Sequence, residues 1–246
     1  MTDDRATLSR VTPDDLFLFV DFDGTLVDLA ATPDGIDVPD MLPDLLRRLH
    51  ARLDGRLALV SGREVGTLER FLPDFPGDIF GAHGAEARRG GTLVRHALVG
   101  SSIVAQVQRQ AQEAVEATPG LTLETKGTGA VLHYRAAPQS EAAARDAAQR
   151  IADAASDMEL HVSKMAFEIR PADASKAGAV RRAMEGQPAG IRPAVIGDDV
   201  TDEEAMAVAL ERGGLCVRVG SGDTCAPHRL DDPKAVRAVL AQWASP

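Results

Sequence analysis

The stretch from Leu16 to Leu26, L-F-L-F-V-D-F-D-G-T-L, decides the fold. Its first five residues, 16–20, form a continuous apolar run, which is typical of a short strand buried on both faces of a parallel sheet. Two carboxylates, Asp21 and Asp23, come directly after this run, and a Gly-Thr turn then leads the chain away. Ligands of open α/β sheets bind beyond the carboxyl ends of the strands. The stretch therefore predicts a doubly wound parallel α/β sheet with an acidic ligand site after its first strand.

Composition narrows the function classes. The chain has 246 residues and a net charge of -10, with 27 basic and 37 acidic residues. We therefore expect no binding to nucleic acid or to anionic membranes, and a phosphorylated ligand would need local positive charge or a metal. The acidic N-terminus does not resemble a signal peptide, and no stretch approaches the roughly 18 apolar residues of a membrane helix. We expect a cytoplasmic monomer. Cys216 and Cys225 are too few for a disulfide scaffold, and we expect Cys216 in a strand.

The pattern of elements predicts two domains. Residues 1–86 and 171–246 alternate strands with helices, as in a doubly wound parallel core. Residues 87–170 instead indicate antiparallel strands and two helices, an α+β unit inserted into that core. The interval between Ser61 and Lys176 is far longer than a single crossover, which supports an insertion. We predict that this unit is a cap domain, which selects the substrate and excludes water.

Polar residues follow several predicted core strands. Ser61 follows the second strand, Asp198 follows a later one in G-D-D-V-T-D-E at 197–203, and Lys176 begins a helix. Such strand ends converge on one edge of a parallel sheet. The set suits phosphoryl transfer to a carboxylate, which needs an ionised nucleophile, Mg²⁺ held by oxygen ligands, and donors for the phosphoryl oxygens. A second acid two residues after the nucleophile can protonate the leaving alkoxide and later deprotonate water.

These motifs, in this order, resemble the haloacid dehalogenase superfamily of aspartyl-phosphate enzymes. The resemblance implies Mg²⁺ as cofactor, Asp21 as nucleophile and Asp23 as general acid/base. The implied metal ligands are Asp21, the Asp23 carbonyl and Asp198, supported by Asp199 and Asp202, and the implied phosphoryl contacts are Ser61 and Lys176. The alternatives are a helix N-cap for Ser61, a solvated charge for Lys176 and a helix N-terminal acid for Asp202.

The chain also resembles the trehalose-6-phosphate phosphatase family, in both core halves and in the insertion. The shared motifs are F-G-A-H-G-A-E at 80–86, L-E-T-K at 123–126, V-L-H-Y-R at 131–135, K-M-A-F-E-I-R-P at 164–171, G-D-D-V-T-D-E at 197–203 and A-P-H-R-L-D-D-P at 226–233. The resemblance implies hydrolysis of trehalose 6-phosphate to trehalose and phosphate. The substrate contacts expected with it are Glu124, Lys126, Arg135, Lys164 and Glu168 in the cap, and Gly62, Arg63 and His83 in the core.

Other interpretations stay open at this stage. The charged cap residues could form cross-strand ion pairs on an exposed sheet face, and His83 could be a buried, hydrogen-bonded histidine. The chain could act on another sugar phosphate, such as sucrose phosphate or a glycosyl phosphoglycerate, or it could be a sugar phosphomutase. A catalytically silent sugar-phosphate sensor would typically have lost Asp21 or Asp23, and this sequence has both.

Overall fold

The computed structural model describes residues 4–30, 32, 34–163 and 165–245, and it contains two sheets. The strands are β1 (Leu16–Val20), β2 (Leu57–Val60), β3 (Asp78–Gly81), β4 (Glu86–Arg89), β5 (Thr92–Arg95), β6 (Thr122–Lys126), β7 (Gly129–His133), β8 (Met158–Ser163), β9 (Ala166–Pro171), β10 (Arg192–Gly197), β11 (Leu215–Val219) and β12 (His228–Leu230). The helices are α1 (Asp4–Leu8), α2 (Leu42–Arg52), α3 (Val65–Phe71), α4 (Ser102–Ala117), α5 (Glu141–Asp153), α6 (Lys176–Met184), α7 (Val200–Glu211) and α8 (Pro233–Trp243).

The larger sheet has the strand order β12-β11-β10-β1-β2-β3-β4-β5. The strands from β12 to β3 are parallel, and β4 is antiparallel to β3. Helices cover both faces of this sheet. Since alternate residues of β1 point to opposite faces, its side chains contribute to two separate core clusters. Leu16, Leu18 and Val20 pack in one core cluster with α2, α3 and α8, whereas Phe17 and Phe19 pack in the other with α6 and α7. The predicted doubly wound α/β fold is confirmed.

The smaller sheet is antiparallel, in the order β6-β7-β9-β8. One of its faces is apolar and packs against α4 and α5 through residues such as Leu132, Phe167 and Ile169. Tyr134 stacks on Phe167 with a ring-centroid distance of 5.2 Å. The opposite face is polar, and it contains three of the charged residues that the motifs singled out, Glu124, Lys126 and Glu168. The predicted antiparallel strands and two helices are therefore present.

The chain divides into two compact units, one of residues 95–174 and one of the parts up to 94 and from 175 onward. We predicted the boundaries at 86/87 and 170/171. The first division falls later because β4 and β5 extend the larger sheet beyond β3. The sequence E-A-R-R of β4 alternates too little to be predicted as a strand. Helix α1 was also unpredicted, although Leu8 is fully buried and its carbonyl accepts a hydrogen bond from Nε1 of Trp243 at 2.9 Å.

No helix in the described residues combines the length and the apolar character that crossing a membrane requires.

Candidate active site

Three carboxylates lie together where β1 and β10 end. One oxygen from each of Asp21, Asp198 and Asp202 lies within 4.8 Å of the other two. Asp21 follows β1, and its backbone N–H donates to the carbonyl of Ile196 in the neighbouring β10 at 3.0 Å. Asp198 follows β10 directly, and Asp202 lies in the first turn of α7. The parallel pairing of β1 with β10 therefore brings together carboxylates that are far apart in the sequence.

Lys176 is the cation of this cluster. It is the first residue of α6 and is 3% exposed. Its Nζ donates to Oδ1 of Asp21 at 2.8 Å and to Oδ1 of Asp202 at 2.7 Å. The side chain of Ser175 caps α6 by accepting from the backbone N–H of Gly178 at 3.0 Å, which fixes the start of the helix. Lys176 is thus not the solvated charge that the sequence left possible, and Asp202 does more than begin a helix.

The charges of the cluster do not balance, since three carboxylates face one ammonium group. Burial raises the pKa of Asp21 well above its ordinary value, with Asp202 and Asp198 adding to the rise and Lys176 opposing it. Burial, together with Asp202, likewise raises the pKa of Asp198. Burial would lower the pKa of Lys176, but the two carboxylates around it outweigh burial and raise it above its usual range. Excess buried negative charge on hard oxygen ligands fits a divalent cation such as Mg²⁺.

The turn after Asp23 packs against Asp198. Gly24 has a φ of +74°, a conformation that few residues other than glycine adopt. A Cβ atom at this position would lie 2.3 Å from Oδ2 of Asp198. The hydroxyl of Thr25 donates to Oδ1 of Asp198 at 3.2 Å. The G-T that follows D-x-D therefore orients a carboxylate of the cluster, a role that we did not predict from the sequence.

Asp23 lies apart from the cluster and is held by Arg63. Nε of Arg63 donates to Oδ2 of Asp23 at 2.6 Å, and Nη2 donates to Oδ1 at 2.8 Å. The guanidinium of Arg63 also lies over the ring of Phe71, 5.2 Å from its centroid. Both contacts restrict the orientation of the guanidinium, and the bidentate pair fixes the plane of the carboxylate. We predicted Arg63 as a substrate contact, but in the structure two of its nitrogens bind Asp23.

Ser61 is buried at the end of β2, at the same edge of the sheet as Asp21. Its Oγ accepts a hydrogen bond from the backbone N–H of Arg63 at 3.2 Å. Because that bond uses a lone pair of the hydroxyl, the hydroxyl hydrogen is available to another acceptor, such as a phosphoryl oxygen. The N-cap of α3 is Glu64, so the alternative of Ser61 as a helix cap is wrong.

His83 lies beside Ser61 in an unusual backbone conformation. Its φ of +56° is rare for a residue other than glycine, and such strain is often found at functional sites. The backbone N–H of His83 donates to the carbonyl of Ser61 at 2.9 Å. A Cβ atom on Gly62 would lie 2.7 Å from Nε2 of His83, so Gly62 provides the space for the imidazole. The structure thus brings together Ser61, Gly62 and His83, all of which we predicted in the site.

The remaining acids of the G-D-D-V-T-D-E motif have different environments. Asp199 is exposed at the N-cap of α7, and its backbone N–H donates to Oδ2 of Asp202 at 3.1 Å. Among the described residues, Asp199 is not part of the carboxylate cluster, whereas Asp202 is a potential ligand rather than only a supporting residue. Glu203 pairs with Arg218, a residue that we missed because no local pattern links a β11 arginine to this motif.

The polar face of the smaller sheet contains the predicted sugar contacts. Glu124 and Glu168 lie on either side of Val131 in register, so they share this face. Nζ of Lys126 contacts Oε1 of Glu168 at 2.9 Å. Nε2 of His133 hydrogen-bonds to Glu124 at 2.8 Å, and this contact holds the pKa of Glu124 below its ordinary value. These contacts are also those of the cross-strand ion-pair alternative, which stays open, although at 4% exposure Glu168 is more buried than ordinary surface pairs.

Arg135 and Lys164 are the other two predicted contacts of the smaller unit. Arg135 is exposed in the turn that follows β7, and the structure does not place it in the Lys126–Glu168 pair. Lys164 lies outside the described residues. Arg170, which we did not single out, is buried on the same face as Glu168, and its Nη2 donates to Glu159 at 3.3 Å.

Comparisons with known proteins all indicate the same protein family. The sequence model of the trehalose-phosphatase family matches residues 19–234. The chain is 38% identical over 215 residues to the trehalose-6-phosphate phosphatase of Escherichia coli (strain K12), covering 86% of this chain and 80% of that protein. It is 40% identical over 239 residues to the probable trehalose-phosphate phosphatase of Sinorhizobium fredii (strain NBRC 101917 / NGR234), covering 94% and 88%.

Solved structures share the architecture. A crystal structure of a trehalose-6-phosphate phosphatase related protein has a TM-score of 0.76 and 26% identity, covering 92% of this chain and 95% of that chain. The C-terminal domain of a Candida albicans trehalose-6-phosphate phosphatase has a TM-score of 0.81 at 23% identity, covering 98% and 96%. At this lower identity the likeness concerns the fold alone.

Proposed function

Since the chain belongs to the trehalose-phosphatase family, we propose that it hydrolyses trehalose 6-phosphate to trehalose and phosphate through an aspartyl-phosphate intermediate, with Mg²⁺ as cofactor. The observation that carries the proposal is the contact between Asp21 and Lys176, 2.8 Å long, within the carboxylate cluster. It supports a nucleophile whose ionised form is stabilised by an ammonium group and, when bound, by a divalent cation.

Asp21 attacks phosphorus, and the bond between phosphorus and the sugar oxygen breaks. Lys176 and Ser61 hold the phosphoryl oxygens, since one provides a buried ammonium and the other an available hydroxyl hydrogen. Mg²⁺, when bound, would neutralise charge on the carboxylates and on the transferring phosphoryl group. The residues that would hold it are Asp21, Asp198 and the main-chain carbonyl of Asp23, with Asp202 as a further carboxylate and Asp199 supporting the helix start.

Asp23 moves the protons. As the general acid it protonates the leaving trehalose oxygen, and the resulting carboxylate then takes a proton from the water that attacks the phosphorus of the Asp21 phosphate. This step releases phosphate and regenerates the Asp21 carboxylate and the Asp23 acid. Arg63 orients Asp23 through the two hydrogen bonds that its fork makes. Proton transfer depends on this orientation, because the acid must lie within hydrogen-bonding distance of the leaving oxygen.

The smaller unit is proposed to be a cap that selects the sugar. Its polar face presents Glu124, Lys126 and Glu168, whose charged groups can hydrogen-bond to sugar hydroxyls. The contact between Nζ of Lys126 and Oε1 of Glu168, 2.9 Å long, holds both charged groups on this one face, which supports a binding role for the pair. Arg135 and Lys164 complete the proposed cap contacts, and His83 with Gly62 contributes from the larger unit.

Phosphate release from a panel of substrates tests the proposal. The panel contains trehalose 6-phosphate, sucrose phosphate and a glycosyl phosphoglycerate, each assayed with Mg²⁺ and after exhaustive chelation. We expect trehalose 6-phosphate to be hydrolysed fastest, and only when Mg²⁺ is present. Equal or faster hydrolysis of another sugar phosphate would contradict the proposed substrate, and full activity after chelation would contradict the cofactor. A folded protein that releases no phosphate from any substrate would support the sensor alternative.

A further inference from the structure

Glu203 makes contacts that the proposed mechanism does not use. It follows Asp202 in α7, but its carboxylate does not belong to the metal-compatible cluster of the described residues. Its Oε1 accepts from Nη1 of Arg218 at 3.1 Å. Its Oε2 accepts from the hydroxyl of Thr224 at 3.2 Å and from the backbone N–H of Cys225 at 2.9 Å. Glu203 therefore fastens the loop 221–225 to the first turn of α7.

Arg218 links the same loop to residues 198–202, which supply two carboxylates of the cluster. It lies in β11 and is buried, with 8% exposure. Besides Glu203, its Nη1 donates to the main-chain carbonyl of Asp199 at 3.0 Å, and its Nη2 donates to the carbonyl of Ser221 at 3.3 Å. Asp199 stands between Asp198 and Asp202. The guanidinium thus binds the backbone of the short segment that supplies two of the three carboxylates.

Arg218 makes more contacts than an ion pair with Glu203 alone would require. A guanidinium that served only to neutralise Glu203 would not need the Asp199 carbonyl, and burying a charged pair costs free energy that its attraction often fails to recover. The contact instead fixes the main chain at the residue where β10 has ended and α7 begins. Outer groups that fix the orientation of metal ligands contribute to metal affinity without contacting the ion.

We propose that Arg218 and Glu203 are positioning residues for the Mg²⁺ ligands, which hold Asp198 and Asp202 in place by fixing the backbone of Asp199 against the 221–225 loop. The inference rests on the proposed function, because it takes the carboxylate cluster as the Mg²⁺ site. Neither residue touches the substrate or the reacting atoms in this proposal. Their removal should therefore weaken metal binding more than the chemical step.

The test compares Arg218→Met and Glu203→Gln with the control Arg192→Met. Arg192 also pairs with a carboxylate, Asp15 at 2.7 Å, and donates to a main-chain carbonyl, but it lies at the amino end of β10. Calorimetric titration with Mg²⁺, without substrate, should show an affinity loss of about ten-fold for the first two variants and none for the control. At saturating Mg²⁺ the kcat for trehalose 6-phosphate should approach that of the wild type.

Cys225 provides a second measurement on the same proteins. Cys225 is exposed and Cys216 is buried, so a thiol reagent should modify only Cys225 in the folded protein. Loss of the Glu203 contact should accelerate this modification. Faster modification with unchanged Mg²⁺ affinity would overturn the proposal, because the network would then fasten only the loop. If Arg218→Met does not fold, Glu203→Gln, which keeps nearly the same shape, decides the question alone.

Failure of the proposed function gives a different result. A wild-type protein that does not bind Mg²⁺ would remove the cofactor and this inference together. A wild-type protein that binds Mg²⁺ and hydrolyses trehalose 6-phosphate, with variants of unchanged affinity, would overturn only the positioning role.

Discussion

Replacement of Gly24 by Ala tests whether the turn after Asp23 sets the position of Asp198. A Cβ atom at Gly24 would lie 2.3 Å from Oδ2 of Asp198, whereas ordinary contacts begin near 3.4 Å. The carboxylate must therefore retreat by about 1 Å or rotate away, and a displacement of this size in a catalytic site can slow a reaction by a factor on the order of 100. That factor corresponds to about 2.7 kcal/mol of activation free energy.

The effect on stability should be smaller than the effect on activity. The φ of +74° at Gly24 is unfavourable for Ala, which costs about 1–2 kcal/mol. The atoms that obstruct the new methyl group belong to the end of the Asp198 side chain, which can rotate without moving the backbone. We therefore expect the Gly24→Ala protein to fold, with a modestly lower Tm, while its Mg²⁺ affinity and kcat/KM fall strongly.

Gly213→Ala provides the matched control. Gly213 has a similar φ of +66°, but none of the described atoms beyond its chain neighbours lies within 4 Å of the position of its Cβ. The control should lose a similar amount of stability and keep the wild-type kcat/KM for trehalose 6-phosphate. The measurements are thermal unfolding, Mg²⁺ titration and initial rates of phosphate release. Wild-type kcat/KM and Mg²⁺ affinity in Gly24→Ala would refute the reasoning, as would an equal loss of activity in the control.

Three further predictions address the nucleophile, the cap and the metal. Asp21→Asn should remove turnover and leave the fold intact, because an amide of nearly the same shape is a poor nucleophile; initial rates above a few per cent of wild type would contradict a covalent mechanism. Lys126→Ala should lower kcat/KM for trehalose 6-phosphate about ten-fold but change hydrolysis of a small aryl phosphate little, since only the sugar offers hydroxyls to the cap. Parallel losses on both substrates would instead favour the ion-pair alternative. Because the pKa values of Asp21 and Asp198 are raised, the folded metal-free protein binds protons at these two carboxylates more tightly than the unfolded chain does. The stability that this proton binding contributes is present at low pH and is lost as the pH rises through the folded-state pKa values. Mg²⁺, when bound, would replace those protons, so its stabilising shift of Tm should grow as the pH rises through the raised folded-state pKa values; a shift independent of pH would contradict this linkage.

Local sequence patterns predicted most elements, because hydrophobic periodicity reflects which face of an element is buried. The alternating strands and helices of the core, the antiparallel strands and two helices of the insertion, and the position of Cys216 in a strand were predicted in this way and are present. The elements that were missed have weak local signals. Strand β4 is short and rich in charged residues, and β12 has three residues, so their pairing with β3 and β11 supplies what their sequences do not indicate.

The motifs predicted which residues meet at the strand ends, and the family resemblance that they indicated is confirmed. The structure brings Asp21, Lys176, Asp198 and Asp202 into one cluster, as the order of the motifs implied. Sequence reasoning could not assign the contact of each residue within that cluster. Asp202, for example, had only a supporting role by the family resemblance, and a helix N-terminal acid was the alternative, because acids are favoured in the first turn of a helix.

The sequence by itself therefore determined the order of elements, the fold class and the identity of the residues at the site, because these follow from patterns within short windows of the chain. Only the tertiary structure decided which side chains these site residues contact. Arg63 binds Asp23 across 40 residues of sequence, and Lys176 binds Asp21 across 155. No local pattern specifies such pairs, since they depend on which strands are neighbours and on which buried charges must compensate one another. Burial then raised the pKa of Asp21, whereas the carboxylates of Asp202 and Asp21 raised that of Lys176 against the effect of burial. The chemistry of the site is therefore a property of the assembled sheet edge rather than of the motif.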